Sequence, residues 1–475
     1  MKRRGIAGAW TALGLAISLG SAALAQTPSA LPDTPAGRET RAYLEAFNTG
    51  DAAKADRFIK QHFPTSPREA EDFAAFRNQV GGFSLVSVET ATETKLTALL
   101  RERYGDYAQL EIEVEAAAPH QIKTLRVRPE PKPPGVAPPP RLDDAALGRA
   151  ITDQLALLGD DFSGAVLVTR RGKVVFSAAQ GLADRERKLP NSLQTRFRVG
   201  SMDKMFTATA ILQLVQAGKL DLQAPLATYL KDYPNAEFAR KVTLHQLLTH
   251  TGGAGDIFEP EYDAKREQMR TLQDYVDLFG KRPLEFEPGT KWEYANYGFI
   301  LLGRVIEVVS GQTYYDYVQD HIFGPAGMTG SGFEPESVAV PGRPVAYLKG
   351  STDYKPADDL PWRGTSAGGG YSTVEDFDRF ATALYDGRLL DADHRRQLTE
   401  GRADMQPGMK YGYGFGVYVD AKPVMIGHNG GAPGMNGDLR IVGDDDAVIV
   451  ALSNVSPPNQ AGRMAKFISD RLSAN

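Results

Sequence analysis

Seven of the residues in Pro129-Glu-Pro-Lys-Pro-Pro-Gly-Val-Ala-Pro-Pro-Pro140 are proline. Each fixes φ at about −65° and lacks a backbone N–H, so neither a helix nor the interior of a sheet can run through this segment. It reads as an extended polyproline-type spacer over 129–141 that divides the 475-residue chain into two units. The chain has no cysteine, so an exported form must be held by its core and not by disulfides.

Residues 1–25 stand apart from both units. Lys2, Arg3 and Arg4 precede an uncharged, mostly apolar stretch over 5–19 and an Ala23-Leu-Ala25 site, the three regions of a secretory signal peptide. The expectation is a secreted or periplasmic protein cleaved before Gln26, with no stable membrane span, because the apolar stretch is short for a bilayer. Losing the three cations takes the formal charge from −5 to −8. An acidic mature chain argues against a nucleic-acid partner.

Between that segment and the spacer, helical patterns at 40–47, 52–63 and 72–78 precede strand-like runs at 83–89, 94–103, 107–115 and 121–127. Helices followed by an antiparallel sheet predict a small α+β domain over 33–128. The phrase Ala42-Tyr-Leu-Glu-Ala-Phe-Asn-Thr-Gly-Asp51, with this order of elements, resembles the NTF2-like cone domains.

The unit at 142–475 opens with an amphipathic helix at 143–158 and a hairpin at 162–177 turning at Arg171-Gly172. A helical, loop-rich middle follows, including a helix at 297–310. Strands return at 413–419, 424–427, 438–442 and 447–452, before a final helix at 458–472. The fold class predicted is α+β, with one sheet assembled from both ends of the domain.

Within this unit Phe197-Arg-Val-Gly-Ser-Met-Asp-Lys-Met-Phe-Thr-Ala-Thr-Ala-Ile-Leu-Gln-Leu-Val-Gln-Ala-Gly-Lys219 predicts a helix apolar around nearly its whole circumference, which must lie inside a core. Ser201 and Lys204 are three apart in its first turn and share a face, so the lysine amine can reach the serine hydroxyl. Free N–H groups and the positive dipole at a helix start favour the anion formed when a carbonyl is attacked. Ser201 is the candidate nucleophile and Lys204 its candidate base.

Ser201-Met-Asp-Lys204, Tyr294-Ala-Asn296 and His428-Asn-Gly430 stand in the order and approximate spacing of the three motifs of the serine β-lactamase and penicillin-binding protein superfamily. The chain resembles most its class C β-lactamase, DD-peptidase and family VIII esterase branch. Leu244-His-Gln-Leu-Leu-Thr-His-Thr-Gly-Gly253, Phe286-Glu-Pro-Gly-Thr290 and Ala367-Gly-Gly-Gly-Tyr-Ser-Thr-Val-Glu-Asp-Phe377 are also similar to stretches of that group. The resemblance implies a β-lactamase/transpeptidase-like domain, with a sheet flanked by helices and an all-helical region. It also implies that Tyr294 lies close to Ser201 and shuttles a proton, with its division of labour with Lys204 left open. Asn296 would hold a substrate carbonyl and steady Lys204. The N–H of Gly431 would complete an oxyanion hole with that of Ser201, Gly430 and Gly431 letting the backbone come close. His428 stands where most lactamases carry lysine. A histidine there would attract a substrate carboxylate only when protonated, so binding would weaken as pH rises.

The remaining histidines form no metal-ligating pattern, and no cofactor is expected. Gly443-Asp-Asp-Asp446 reads as a solvated turn. The function expected is acyl transfer through an ester on Ser201, from a small-molecule or peptidoglycan-derived substrate: a D-amino-acid peptide, an ester or a β-lactam. The alternative is a cell-wall sensor that keeps the fold without catalysis, which would not need all four of Ser201, Lys204, Tyr294 and Asn296.

Overall fold

The computed structural model describes residues 30–133, 136–350, 353–357, 360–443 and 446–472. The expected signal peptide, and residues 444–445 of the acidic turn, lie outside the described residues.

Helices α1 (Pro35–Thr49), α2 (Ala52–His62) and α3 (Ala70–Val80) come first. Thr34 and Asp51 cap the first two by accepting from N–H groups of the opening turn. They pack on an antiparallel sheet of β1 (Phe83–Ala91), β2 (Lys95–Glu102), β3 (Tyr107–Val114) and β4 (Ile122–Glu130), in that spatial order. Tyr43, Phe47, Phe58, Phe73 and Phe83 fill the space between. A cavity of about 30 Å³ lined by Tyr43 and Phe63 is left, room for little more than a water-sized group. The expected start of the spacer needs correction: β4 runs on through Pro129, opposite Ala108, to Glu130. It lies at the sheet edge, where a missing N–H breaks no ladder.

After the spacer, α4 (Asp144–Leu158) leads into β5 (Gly164–Arg170) and β6 (Lys173–Gln180). Arg171 and Gly172 both have positive φ in the two-residue turn, as expected for a primed hairpin turn. The chain leaves the sheet for a helical region containing α5 (Asp203–Gln216), α6 (Leu244–Leu248) and α7 (Asn296–Ser310). It then returns as β7 (Ala403–Gln406), β8 (Met409–Tyr411), β9 (Gly416–Tyr418), β10 (Met425–Ala432), β11 (Met435–Val442) and β12 (Ala447–Ser453), closing with α8 (Gln460–Ser469). The antiparallel order is β7-β8-β9-β10-β11-β12-β5-β6, so the two ends of the domain meet where β12 pairs with β5.

Alternation along the central strands explains the layers. On β12, Val448, Val450 and Leu452 join the core shared with the helical region, while Ala447, Ile449 and Ala451 face α4 and α8. Helix α5 has almost every side chain buried, as its all-round apolar sequence predicts. The expected strand at 424–427 is longer: β10 carries the His428-Asn-Gly-Gly segment inside it. Its partner β9 ends opposite Gly427, so 428–432 pair with β11 on one side and present a free edge on the other.

Candidate active site

Ser201 sits in a 3₁₀ turn, Gly200–Met202, that runs into α5. Gly200 has φ +52°, a left-handed conformation that turns the chain sharply before the serine. A Cβ there would come within 2.9 Å of the Gly431 nitrogen. Gly430 is tighter still, since its Cβ would lie 1.9 Å from the Val199 carbonyl oxygen. The free edge of β10 therefore presses its backbone directly on the loop that carries Ser201.

Lys204 is wholly buried. Its Nζ lies 3.2 Å from Ser201 Oγ, 2.7 Å from Asn296 Oδ1 and 2.5 Å from the Ala367 carbonyl oxygen. Burial pushes its pKa down to about 7, with Asp256 and Asp203 opposing the shift. The Asn296 amide is oriented from behind: its Nδ2 donates to Asp256 Oδ1 at 2.9 Å and Oδ2 at 3.1 Å. With that nitrogen turned to Asp256, the Asn296 oxygen is left facing Lys204.

The Tyr294 ring lies beside Lys204, its centroid 4.8 Å from Nζ. Its hydroxyl is buried and completes no hydrogen bond among the described residues, although Ser201 is the neighbour that pulls its pKa down. Burial outweighs that pull and holds the phenol well above its ordinary value, so it keeps its proton at neutral pH.

His428 has a different place from the one expected. Its Nε2 lies 2.8 Å from the Tyr411 hydroxyl and its Nδ1 2.5 Å from the Asn429 carbonyl oxygen, so Nδ1 carries the hydrogen and Nε2 accepts. Burial, with Lys204 nearby, pushes its pKa down to about 3. The expected imidazolium, binding a carboxylate and titrating near neutrality, is therefore corrected: this ring is neutral and backs the strand. On β10 His428 and Gly430 share the buried face, while Gly431 is exposed beside the cavity.

A cavity of about 300 Å³ opens beside Ser201, lined in part by Asn296, Ala367 and Gly431. Ile257, Phe258, Tyr275, Leu360, Pro361 and Met435 make most of its wall apolar, and among the described residues Asp263 and Arg266 are its charged ones. Phe258 is 66% exposed, an aromatic held at the mouth.

Sequence reading did not find Asp256, Tyr411, or the carbonyl of Ala367 as a lysine partner. The Ala367-Gly-Gly-Gly stretch carried a signal only as a family-like phrase. Its glycines let the chain pass the serine loop, with Gly369 N–H donating to the Gly200 carbonyl and Val199 N–H to that of Gly370.

A buried amine within reach of a serine hydroxyl, with a strand edge against the loop that carries the serine, on an antiparallel sheet backed by helices, defines a serine hydrolase with the β-lactamase/transpeptidase-like fold. The chain belongs to the Beta-lactamase family, whose model matches residues 112–471. It is 32% identical over 304 residues to the protein of Bacillus subtilis (strain 168) named for penicillin binding as PbpX, a match covering 64% of this chain and 73% of that one. It is also 32% identical to Esterase EstB of Burkholderia gladioli, over 57% of this chain and 80% of that one. Among solved structures, the penicillin binding protein from Bacillus halodurans matches with a TM-score of 0.61 and 31% identity, over 67% of this chain and 98% of that one.

Proposed function

We propose that the protein is an exported hydrolase that cleaves an uncharged ester, or an amide of a D-amino acid, through an acyl-enzyme on Ser201. The observation that carries the reading is the amine of Lys204, wholly buried, held toward its neutral form and 3.2 Å from Ser201 Oγ. The neutral amine takes the hydroxyl proton as the serine oxygen attacks the substrate carbonyl. The resulting oxyanion meets the N–H groups of Ser201 and Gly431. Tyr294, a phenol that keeps its proton, passes it to the departing oxygen or nitrogen and is reprotonated through Lys204. Water then cleaves the ester on Ser201 by the same route in reverse.

Choice among substrates rests on the neutral His428 and the apolar cavity. No cation stands on β10 to hold a carboxylate, and Phe258, Leu360 and Pro361 suit an apolar acyl group. The similarity to an esterase supports the same choice. Export rests on the N-terminal segment alone, and N-terminal sequencing of the protein recovered from the periplasm or medium tests it.

Labelling with a fluorophosphonate, together with turnover of a graded series of acyl esters, tests the chemistry. Ser201→Ala abolishes labelling and lowers kcat by several orders of magnitude without changing Tm by more than a few degrees. Turnover within about tenfold of wild type would remove Ser201 as nucleophile.

A further inference from the structure

His250 lies just beyond α6, in left-handed conformation at φ +58°, with its side chain almost entirely buried. Its carbonyl accepts from the N–H of Glu293 at 2.9 Å. Its imidazole Nδ1 accepts from the N–H of Ala295 at 3.1 Å. In extended backbone the N–H groups of residues i−1 and i+1 point to one side, and a neighbouring strand would normally take both. Here one residue takes both, half with its main chain and half with its side chain.

The residue between them is Tyr294. The His250 ring lies against the Tyr294 ring, with centroids 4.3 Å apart and planes tilted by 35°, and the Lys204 amine borders the same ring. We infer that His250 is the positioning residue of Tyr294, clamping the backbone on either side of the tyrosine while its imidazole backs the phenol ring. The inference rests on the reading of Tyr294 as the proton-passing group.

Packing alone does not account for a histidine here. With Nδ1 accepting, Nε2 carries the hydrogen, and it makes no hydrogen bond among the described residues. A phenylalanine would fill the same space without burying that N–H. What the histidine adds is an acceptor two bonds from Cβ on a flat ring. Trp292, Phe299 and Tyr411 surround it, and the titratable groups bearing on it among the described residues are Lys204, His428, Tyr294 and Tyr411. Burial and the two basic neighbours hold it neutral, which keeps Nδ1 an acceptor across the working pH range.

A double-mutant cycle on the full chain tests this, with kcat and KM for a neutral ester measured on every variant. His250→Phe keeps the ring and removes the acceptor. It is expected to lower kcat at least about tenfold with KM within about twofold. Added to Tyr294→Phe, it should cost less than about twofold more, because the hydroxyl it positions is already gone. His250→Asn restores an acceptor near the Nδ1 position and tolerates positive φ, so its kcat should stay within about threefold of wild type. Should His250→Phe not fold, His250→Ala takes its place in the cycle. Equal losses in the wild-type and Tyr294→Phe backgrounds would mean a structural role only and overturn the inference. So would a loss in His250→Asn as large as in His250→Phe, or no loss in either. Unimpaired turnover by Tyr294→Phe itself would remove the tyrosine from the mechanism, and with it both the earlier reading and this one.

Discussion

Lys204 has three partners, and as a neutral amine it has only two hydrogens. Asn296 Oδ1 and the Ala367 carbonyl can only accept, so they take both, and the lone pair is left facing the one partner that can donate, Ser201 Oγ. Protonation fills that lone pair. kcat/KM for a neutral ester should therefore rise with pH through about 7 and level off above it. Asp256 raises the pKa of Lys204, so Asp256→Asn should move this limb to lower pH, which a pH–rate profile of the two proteins measures. A limb that stays put or moves upward would show that Lys204 does not set it. His428 is already neutral above about pH 3, so KM for a carboxylate-bearing ester should be as flat between about pH 5 and pH 8 as KM for its neutral analogue. A KM that climbs for the anionic ester alone would restore His428 as a charged binder.

At the scale of elements, the site depends on how closely β10 approaches the turn before α5. Gly430 touches the Val199 carbonyl so tightly that any side chain must push strand and loop apart. Gly430→Ala should cost about 1–3 kcal/mol of stability from forced backbone shifts. It should cost activity far more, because a displacement of about 1 Å at the serine loop can lower the rate by about 100-fold. Gly431 faces the cavity, with Asn436 Nδ2 at 4.0 Å as the nearest group a Cβ would meet. Gly431→Ala should therefore leave Tm nearly unchanged while altering KM with acyl size. Thermal melts and kinetics of the two variants separate these effects, and equal behaviour would mean that the strand edge does not define the acyl site.

At the scale of the whole molecule, the two units keep separate cores but touch through polar groups. Asn78 Nδ2 donates to the Gly350 carbonyl at 2.7 Å, the Tyr104 hydroxyl to Asp161 at 2.7 Å, and Arg463 pairs with Glu102 at 2.8 Å. Tyr104 also packs at the rim of the cluster that holds α4 and α8. Contacts of this kind contribute about 0.5–3 kcal/mol each, too little to hold either fold together. Residues 142–475 alone should fold and hydrolyse a neutral ester with kcat within about threefold of the full chain, melting a few degrees lower. Insoluble or inactive protein from that segment would mean that the units share more than this interface.

Local chemistry was readable in one dimension wherever it depends on spacing or on the character of one segment. The proline spacer, the all-round apolar α5, the Ser201–Lys204 pair on one helical face and the turn at Arg171-Gly172 are all of this kind, and α+β follows from their order. Tertiary structure decided what depends on distant segments meeting. Asp256 orients Asn296 from 40 residues away, and Ala367 reaches Lys204 across 163. His250 was legible only as part of a family-like phrase, since its hold on the backbone around Tyr294 exists only once α6 and α7 have packed. His428 is the sharpest case. Its identity suggested a charge that titrates near neutrality, but charge is a property of surroundings: burial, with Lys204 nearby, pushes the ring toward its neutral form, and nothing short of the folded site could have set that.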